Sequence, residues 1–236
     1  MKLSITCRRT FICLIILLLV SCFSININAQ YYHDNKDNIY VHKTNDENRI
    51  SLTFDDGPHP KKTKEILEVL KKHNVKATFF MIGENALQYP EIVQMVAAEG
   101  HEIANHTYNH KSLYVQDKTK LIENVKKCSN TLENITGIAP KLFRPPEGYM
   151  NDDIAQTMNS EGYDVILWKI DTYDWKGKSS IDIYNTVVSS VKSGDIILMH
   201  DYIWKKSNTA QALDRIIPQL KDEGYCFVTV SELISQ

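Results

Sequence analysis

Between residues 49 and 236 the apolar positions follow two rhythms in alternation. Short runs rich in β-branched and aromatic residues, "ISLTF", "KATFFMI", "HEIAN", "KLFR", "DVILW", "DIILM" and "CFVTV", read as strands. Between them lie "TKEILEVLKKHN", "EIVQMVAAEG", "KLIENVKKCSNTLENI", "DDIAQTMNSEG", "SIDIYNTVVSSVKSG" and "TAQALDRIIPQLKDEG". There the apolar residues recur every three or four positions, as on a helix with one buried face. Gly100, Gly137, Gly162, Gly194 and Gly224 fall just after helical runs, as C-terminal caps do. Strand and helix alternating about seven times predicts an α/β fold with a parallel sheet covered by helices. The best single architecture is a closed or nearly closed barrel of about seven parallel strands, which gathers its functional groups at the C-terminal strand ends.

The first 48 residues break this pattern. Residues 1–29 have a basic start (Lys2, Arg8, Arg9), the apolar run "FICLIILLLV" and a tail ending in "NINAQ", the order of a secretory signal cleaved after Ala29. The stretch "LVSC" also resembles a lipobox in which Cys22 would be lipidated. An uncleaved anchor is a third reading, although the apolar run falls short of the roughly 20 residues a span needs. All three place the domain outside the cytoplasmic membrane. Residues 30–48 are polar, without a periodic apolar face, and read as a spacer. Residues 49–236 then form one domain, ample for its own core. Cys7, Cys13 and Cys22 lie in the leader, and Cys128 and Cys226 are expected to be isolated thiols. Without the leader's three cations the formal charge of −2 falls to about −5, so nothing basic is offered to nucleic acid or anionic lipid. The expected state is a monomer tied to a membrane only through the leader.

The barrel acts as a filter on the polar residues. Asp55 and Asp56 follow "ISLTF", His106 and His110 follow "HEIAN", Arg144 closes "KLF", Asp171 follows "ILWKI", and His200 with Asp201 follows "DIILM". In "HTYNH" two histidines stand four apart, so a helical turn would aim both imidazoles at one ion. An aspartate from another strand end completes a three-ligand set. Such an ion would also explain "TFDDGP". One carboxylate would bind it, while the other, turned differently by the bend at Gly57 and Pro58, would face the attacking water. His33, His42, His73 and His101 have no partners of this kind and read as structural or solvated.

"TFDDGP", "HTYNH", "RPPEG", "DTYDW" and "LMHD", in this order, resemble the five motifs of the polysaccharide deacetylases of the NodB-homology type, carbohydrate esterase family four, over residues 50 to 235. The resemblance implies a distorted (β/α) barrel of the NodB type, with about seven parallel strands, and a role for each residue. Asp55 would be the general base, with Arg144 pairing it. Asp56, His106 and His110 would hold one divalent metal, zinc first, with cobalt, manganese or nickel also compatible. His200 would be the general acid, oriented by Asp171. Main-chain N–H groups near Pro146 and Glu147 would meet the developing oxyanion, and Trp175 and Leu198 would wall the acetyl pocket. Asp174 is expected to hold the Asp171–Trp175 loop, and Asp201 to cap the segment after it. The third motif usually carries an aromatic residue where this chain has Glu147, which places an anion in the sugar-binding groove.

The chemistry is consistent with these roles. Amide hydrolysis needs an activated water, an oxyanion stabiliser and a proton for the amine. Arginine beside one carboxylate favours its charged form, and a carboxylate beside histidine favours imidazolium, so base and acid separate. The implied activity is removal of acetyl from N-acetylated amino sugars in an envelope glycan, peptidoglycan first. Chitooligosaccharides and O-acetyl esters on another glycan are the alternatives. A silent glycan-binding module is a reading of another class, and a phosphoester hydrolase on a similar barrel would call for more metal ligands than are found here.

Overall fold

The computed structural model describes residues 38–113, 117–202 and 207–235, so the leader lies outside the described residues. Its strands are β1 (Ile39–Tyr40), β2 (Arg49–Asp55), β3 (Thr78–Met81), β4 (Glu102–Asn105), β5 (Leu142–Phe143), β6 (Asp164–Ile166), β7 (Ile170–Asp171), β8 (Ile196–His200) and β9 (Cys226–Phe227). Helices α1 (Lys62–Lys72), α2 (Gly83–Gln88), α3 (Pro90–Ala98), α4 (Lys118–Thr136), α5 (Asp152–Ser160), α6 (Ser180–Val188), α7 (Thr209–Asp222) and α8 (Val230–Ile234) intervene or follow. The strands pair in parallel in the order β1-β6-β5-β4-β3-β2-β8-β7, with β9 against the start of β2. The expected parallel sheet is therefore present, with two more short strands than the sequence pattern gives.

The sheet order itself shows the curl. β6 and β7 stand towards opposite ends of the order, yet only residues 167–169 separate them. Four Cα steps reach at most about 14 Å. The ends of the sheet must therefore come close to meeting, which makes the distorted, incompletely closed barrel that the resemblance implies.

Alternation along β2 divides the core. Ile50, Leu52 and Phe54 join the large cluster beneath α1, α6 and α7, with Ile66, Ile183 and Ile216. Ser51, Thr53 and Asp55 point the other way, into the barrel. Its floor is Phe80, Ala104, Leu142, Ile166 and Ile196, closed below by Val230 and Leu233 of α8. A capping box, Thr229 with Glu232, starts that helix. The N-terminal end of the barrel is thus plugged, and its polar interior opens only at the C-terminal end.

Residues 38–48 correct the expected spacer. Ile39 and Val41 are buried, β1 pairs with β6, and the Lys43 N–H donates to Gly194 O at 2.9 Å. An edge strand of two residues needs only two inward apolar side chains, too few for periodicity to detect. The glycines read as caps do take left-handed φ, Gly137 closing α4 at 76°. Cys128 (buried) and Cys226 (exposed) are both free thiols, as expected.

Candidate active site and metal centre

β2 and β8 are neighbours with Asp55 opposite His200 in register, so both side chains project from the same interior face. Strands paired in this way run about 4.8 Å apart. Asp56 then takes φ 75°, the left-handed region, which swings its carboxylate out of line with that of Asp55. Its carbonyl accepts a hydrogen bond from Asn85 Nδ2 at 2.7 Å, which holds the turn. Gly57 is required next, since a Cβ there would lie 2.1 Å from Asp201 Oδ2.

The two histidines reach the same place, though not on a helix as the spacing suggests. Residues 106–110 form a loop in which Thr107 (φ 67°) and His110 (φ 51°) are left-handed. Side chains supply what a helix would have: Asn105 Oδ1 accepts from the Thr107 N–H (2.8 Å), Asn124 Oδ1 from the Tyr108 N–H (2.6 Å), and Thr107 Oγ1 from the His110 N–H (3.1 Å). Asn105 is itself anchored to α4 through Val125 O and Ser129 Oγ. The result brings His106 Nε2 to 3.4 Å and His110 Nε2 to 3.3 Å from the same oxygen, Asp56 Oδ1.

These residues fit a divalent cation. Their ligand atoms all lie within 4.8 Å of one another. Asp56 Oδ1 is buried and has no aligned hydrogen-bond donor, a costly condition for a carboxylate oxygen unless a cation serves it. His106 Nδ1 donates to Arg144 O at 2.8 Å, since a carbonyl can only accept, so Nε2 is the nitrogen that faces Asp56 and would bind a cation; burial resists charge on His106, but Asp55 and Asp56 push it up. Burial opposes charge on Asp56, but His106, His200 and His110 outweigh it and hold the carboxyl below its ordinary range. Burial and then His106 push His110 down, which favours the neutral ligand form.

Arg144 is wholly buried and organises the other carboxylate. Its Nη1 donates to Asp55 Oδ1 at 2.6 Å and to Thr53 Oγ1 at 2.9 Å. Nε and Nη2 donate to Ile166 O and Leu167 O at 3.1 and 2.9 Å, where the chain crosses the gap in the barrel. Asp55 Oδ2, the oxygen not used by Arg144, lies 3.8 Å from His106 Nε2, on the metal side.

For the partner of His200 the structure corrects the expectation. Asp174, not Asp171, holds it: Asp174 Oδ1 is 2.7 Å from His200 Nδ1, and Oδ2 accepts from the His200 N–H and from Thr209 Oγ1, each at 2.8 Å. Tyr173 is left-handed (φ 55°), which turns the chain so that the fourth residue of "DTYD" faces inward and the first does not. Asp171 Oδ1 instead accepts from the Tyr173 N–H at 2.7 Å and fastens the loop, the duty expected of Asp174. Burial resists charge on His200, yet Asp174 first, then Asp55 and Asp56, raise it to about 9. Asp201 is not a simple cap either. It is buried, accepts from Thr63 Oγ1 at 2.6 Å, and burial raises it to about 7.

The other expected residues form the rim and wall. Leu198 is buried on the interior face of β8, two residues before His200. Pro146 and Glu147 occupy a 3-10 turn, with Glu147 left-handed and exposed, and since Pro146 has no N–H the donor that opens the turn is the Glu147 N–H, which has no partner within it. Trp175 is 45% exposed at the mouth. Asn105, Asn124 and Thr209 escaped the sequence reading, because amides and hydroxyls that act through backbone groups leave no spacing to detect. His73 and His101 are structural, as expected: His73 Nε2 lies 2.8 Å from Asp214, and burial pushes His101 down to about 4.

The sequence profile of the polysaccharide deacetylase family matches residues 42–166. A peptidoglycan-N-acetylglucosamine deacetylase of Bacillus cereus is 43% identical over 192 residues, which cover 80% of this chain and 90% of that protein. The peptidoglycan-N-acetylmuramic acid deacetylase PdaC of Bacillus subtilis is 40% identical over 184 residues, covering 78% of this chain and 38% of that one. A crystal structure of a peptidoglycan N-acetylglucosamine deacetylase in complex with 4-naphthalen-1-yl-N-oxidanyl-benzamide superposes with a TM-score of 0.82 at 38% identity, covering 84% of this chain and 94% of the other. Profile, identity and superposition converge on the likeness that the five stretches implied, and the chain belongs to the polysaccharide deacetylase family.

Proposed function

We propose that this protein removes acetyl groups from N-acetylated amino sugars of peptidoglycan, releasing acetate and leaving a free amine. The observation that carries the reading is one cluster: Asp56, His106 and His110 converge on an oxygen with no aligned donor, between Arg144-paired Asp55 and Asp174-paired His200. A divalent cation held by those three ligands would polarise the acetyl carbonyl and acidify the attacking water. Asp55 accepts the water's proton through Oδ2, Oδ1 being fixed by Arg144. The Glu147 N–H points its donor at the carbonyl oxygen as charge develops there. His200, protonated at neutral pH and aimed by Asp174, gives the departing amine its proton. Leu198 and Trp175 take the acetyl methyl. Residues 1–29 act as a leader or anchor that places this chemistry outside the cytoplasmic membrane. Relatives that act on peptidoglycan support that placement, and among the described residues no helix is long and apolar enough to cross a membrane.

The test is acetate release from peptidoglycan, chitooligosaccharides and acetylxylan by zinc-loaded protein, with mass spectrometry to locate the new amine. Release from peptidoglycan with the amine on glucosamine or muramic acid is the expected result. Release from acetylxylan alone would overturn it, and no release from any glycan would favour a binding module.

A further inference from the structure

The loop that carries Asp174 has a second feature besides the acetyl wall at Trp175. Tyr173 and Trp175, on either side of Asp174, have ring centroids 6.4 Å apart at 52°. The ammonium group of Lys176 sits over both rings, 4.5 Å from the Tyr173 centroid and 4.7 Å from that of Trp175. Lys178 Nζ lies 5.0 Å from the Tyr173 ring. Some other lysines sit against carboxylates, as Lys72 does with Asp214 at 2.6 Å and Lys126 with Glu161 at 2.6 Å. Among the described residues no carboxylate comes within 4 Å of Lys176 or Lys178. Two cations are therefore gathered on aromatic faces at the mouth of the site and left for an external anion.

The opposite rim has the other sign. Glu147 is exposed three residues after Arg144, whose carbonyl holds metal ligand His106. The groove is thus polarised, negative on the metal-ligand side and positive on the His200 side. A neutral N-acetylated polymer such as chitin gains nothing from that polarity. A glycan in which every second sugar carries an ether-linked carboxyl, free or extended by an acidic peptide, would gain from the cations.

We propose that Tyr173, Trp175, Lys176 and Lys178 form a subsite for a carboxylate-substituted sugar, the neighbour of the residue being deacetylated, and that this subsite selects peptidoglycan over neutral glycans. The inference rests on the peptidoglycan reading above. Its test compares wild type with the double variant Lys176→Ala/Lys178→Ala on two soluble oligosaccharides of equal length, one neutral and fully N-acetylated, the other cut from peptidoglycan with its carboxylates intact. The expected result is a rise in KM on the order of three- to tenfold for the carboxylate-bearing glycan, with its kcat and both constants for the neutral glycan unchanged. Lys176→Arg/Lys178→Arg should restore the KM, and added salt should erase the difference between wild type and the Ala variant. If wild type deacetylates both glycans and the Ala variant leaves their ratio unchanged, or weakens both equally, the subsite is wrong and the peptidoglycan reading stands. If wild type acts on the neutral glycan alone, both fall.

Discussion

Replacing Asp174 with Asn tests the acid side of the mechanism with little change of shape. Asn keeps the size of the carboxylate and one acceptor for the Thr209 hydroxyl or the His200 N–H, but removes the charge that faces Nδ1 at 2.7 Å. His200 stands at about 9 against an ordinary 6.5, and Asp174 is the largest influence raising it. At ~1.4 kcal/mol per pH unit, the whole displacement is on the order of 3 kcal/mol. Asp55 and Asp56 keep part of that pull, so the variant's histidine should titrate below that of wild type by less than the whole displacement. The sign follows from the role. A proton donor works below its pKa, so activity should persist to about pH 9 in wild type and fall as pH rises past that point. In Asp174→Asn the fall should begin correspondingly lower, which reduces kcat/KM on the order of tenfold at pH 8 and leaves it much less affected at pH 6. The assay is kcat/KM on a soluble chitooligosaccharide across pH at saturating metal, with Asp171→Asn as the control. An unmoved alkaline limb in Asp174→Asn, with a displaced one in Asp171→Asn, would return the orienting role to Asp171 and refute the reasoning.

The base, the arginine and the turn give three further tests. Asp55→Asn should abolish turnover while metal content, measured by inductively coupled plasma mass spectrometry, stays near stoichiometric; His106→Ala should lose both, and an empty site in Asp55→Asn would overturn the division of labour within "DD". Arg144→Met leaves a buried carboxylate without its cation, which typically costs about 3–5 kcal/mol, so Tm should fall by about 10 °C, and an unchanged melt would contradict the buried pair. Gly57→Ala places a Cβ 2.1 Å from Asp201 Oδ2, so activity and Tm should both drop, with partial recovery in the double variant Gly57→Ala/Asp201→Ala; full activity in the single variant would remove the requirement for close approach.

Most of the sheet is legible because its strands are short, apolar and separated by helices with one buried face. Two things were not. The overlapping runs "DVILW" and "ILWKI" read as one strand, but Asp164–Ile166 and Ile170–Asp171 stand towards opposite ends of the sheet, and no local pattern shows that a single apolar run crosses the gap of a barrel. "CFVTV" reads as a strand to its end, whereas only Cys226–Phe227 pairs and Thr229 caps α8. In that case a signal was present, since Thr229 and Glu232 have capping-box spacing, and the β-branched run hid it.

The site shows why spacing finds ligands more easily than it finds partners. Each group in "TFDDGP", "HTYNH" and "LMHD" is delivered by a strand end, so the barrel argument locates it whatever the loop then does. Even the wrong expectation of a helical turn at His106 and His110 reached the right convergence, because two left-handed residues bring the imidazoles to Asp56 by another path. In "DTYDW" the choice between two carboxylates depends on one backbone angle, φ 55° at Tyr173, which leaves no trace in residue types. The same holds at Asp56, where φ 75° separates two adjacent carboxylates into one that faces His106 and His110 and one that faces Arg144. Left-handed non-glycine residues cost about 1–3 kcal/mol each, and Asp56, Thr107, His110, Glu147 and Tyr173 all lie at this rim. A cation shared by Asp56, His106 and His110 would offset that cost at two of the five, Asp56 and His110. Apoprotein should therefore be less stable than holoprotein, with its losses concentrated in these loops rather than in the barrel floor.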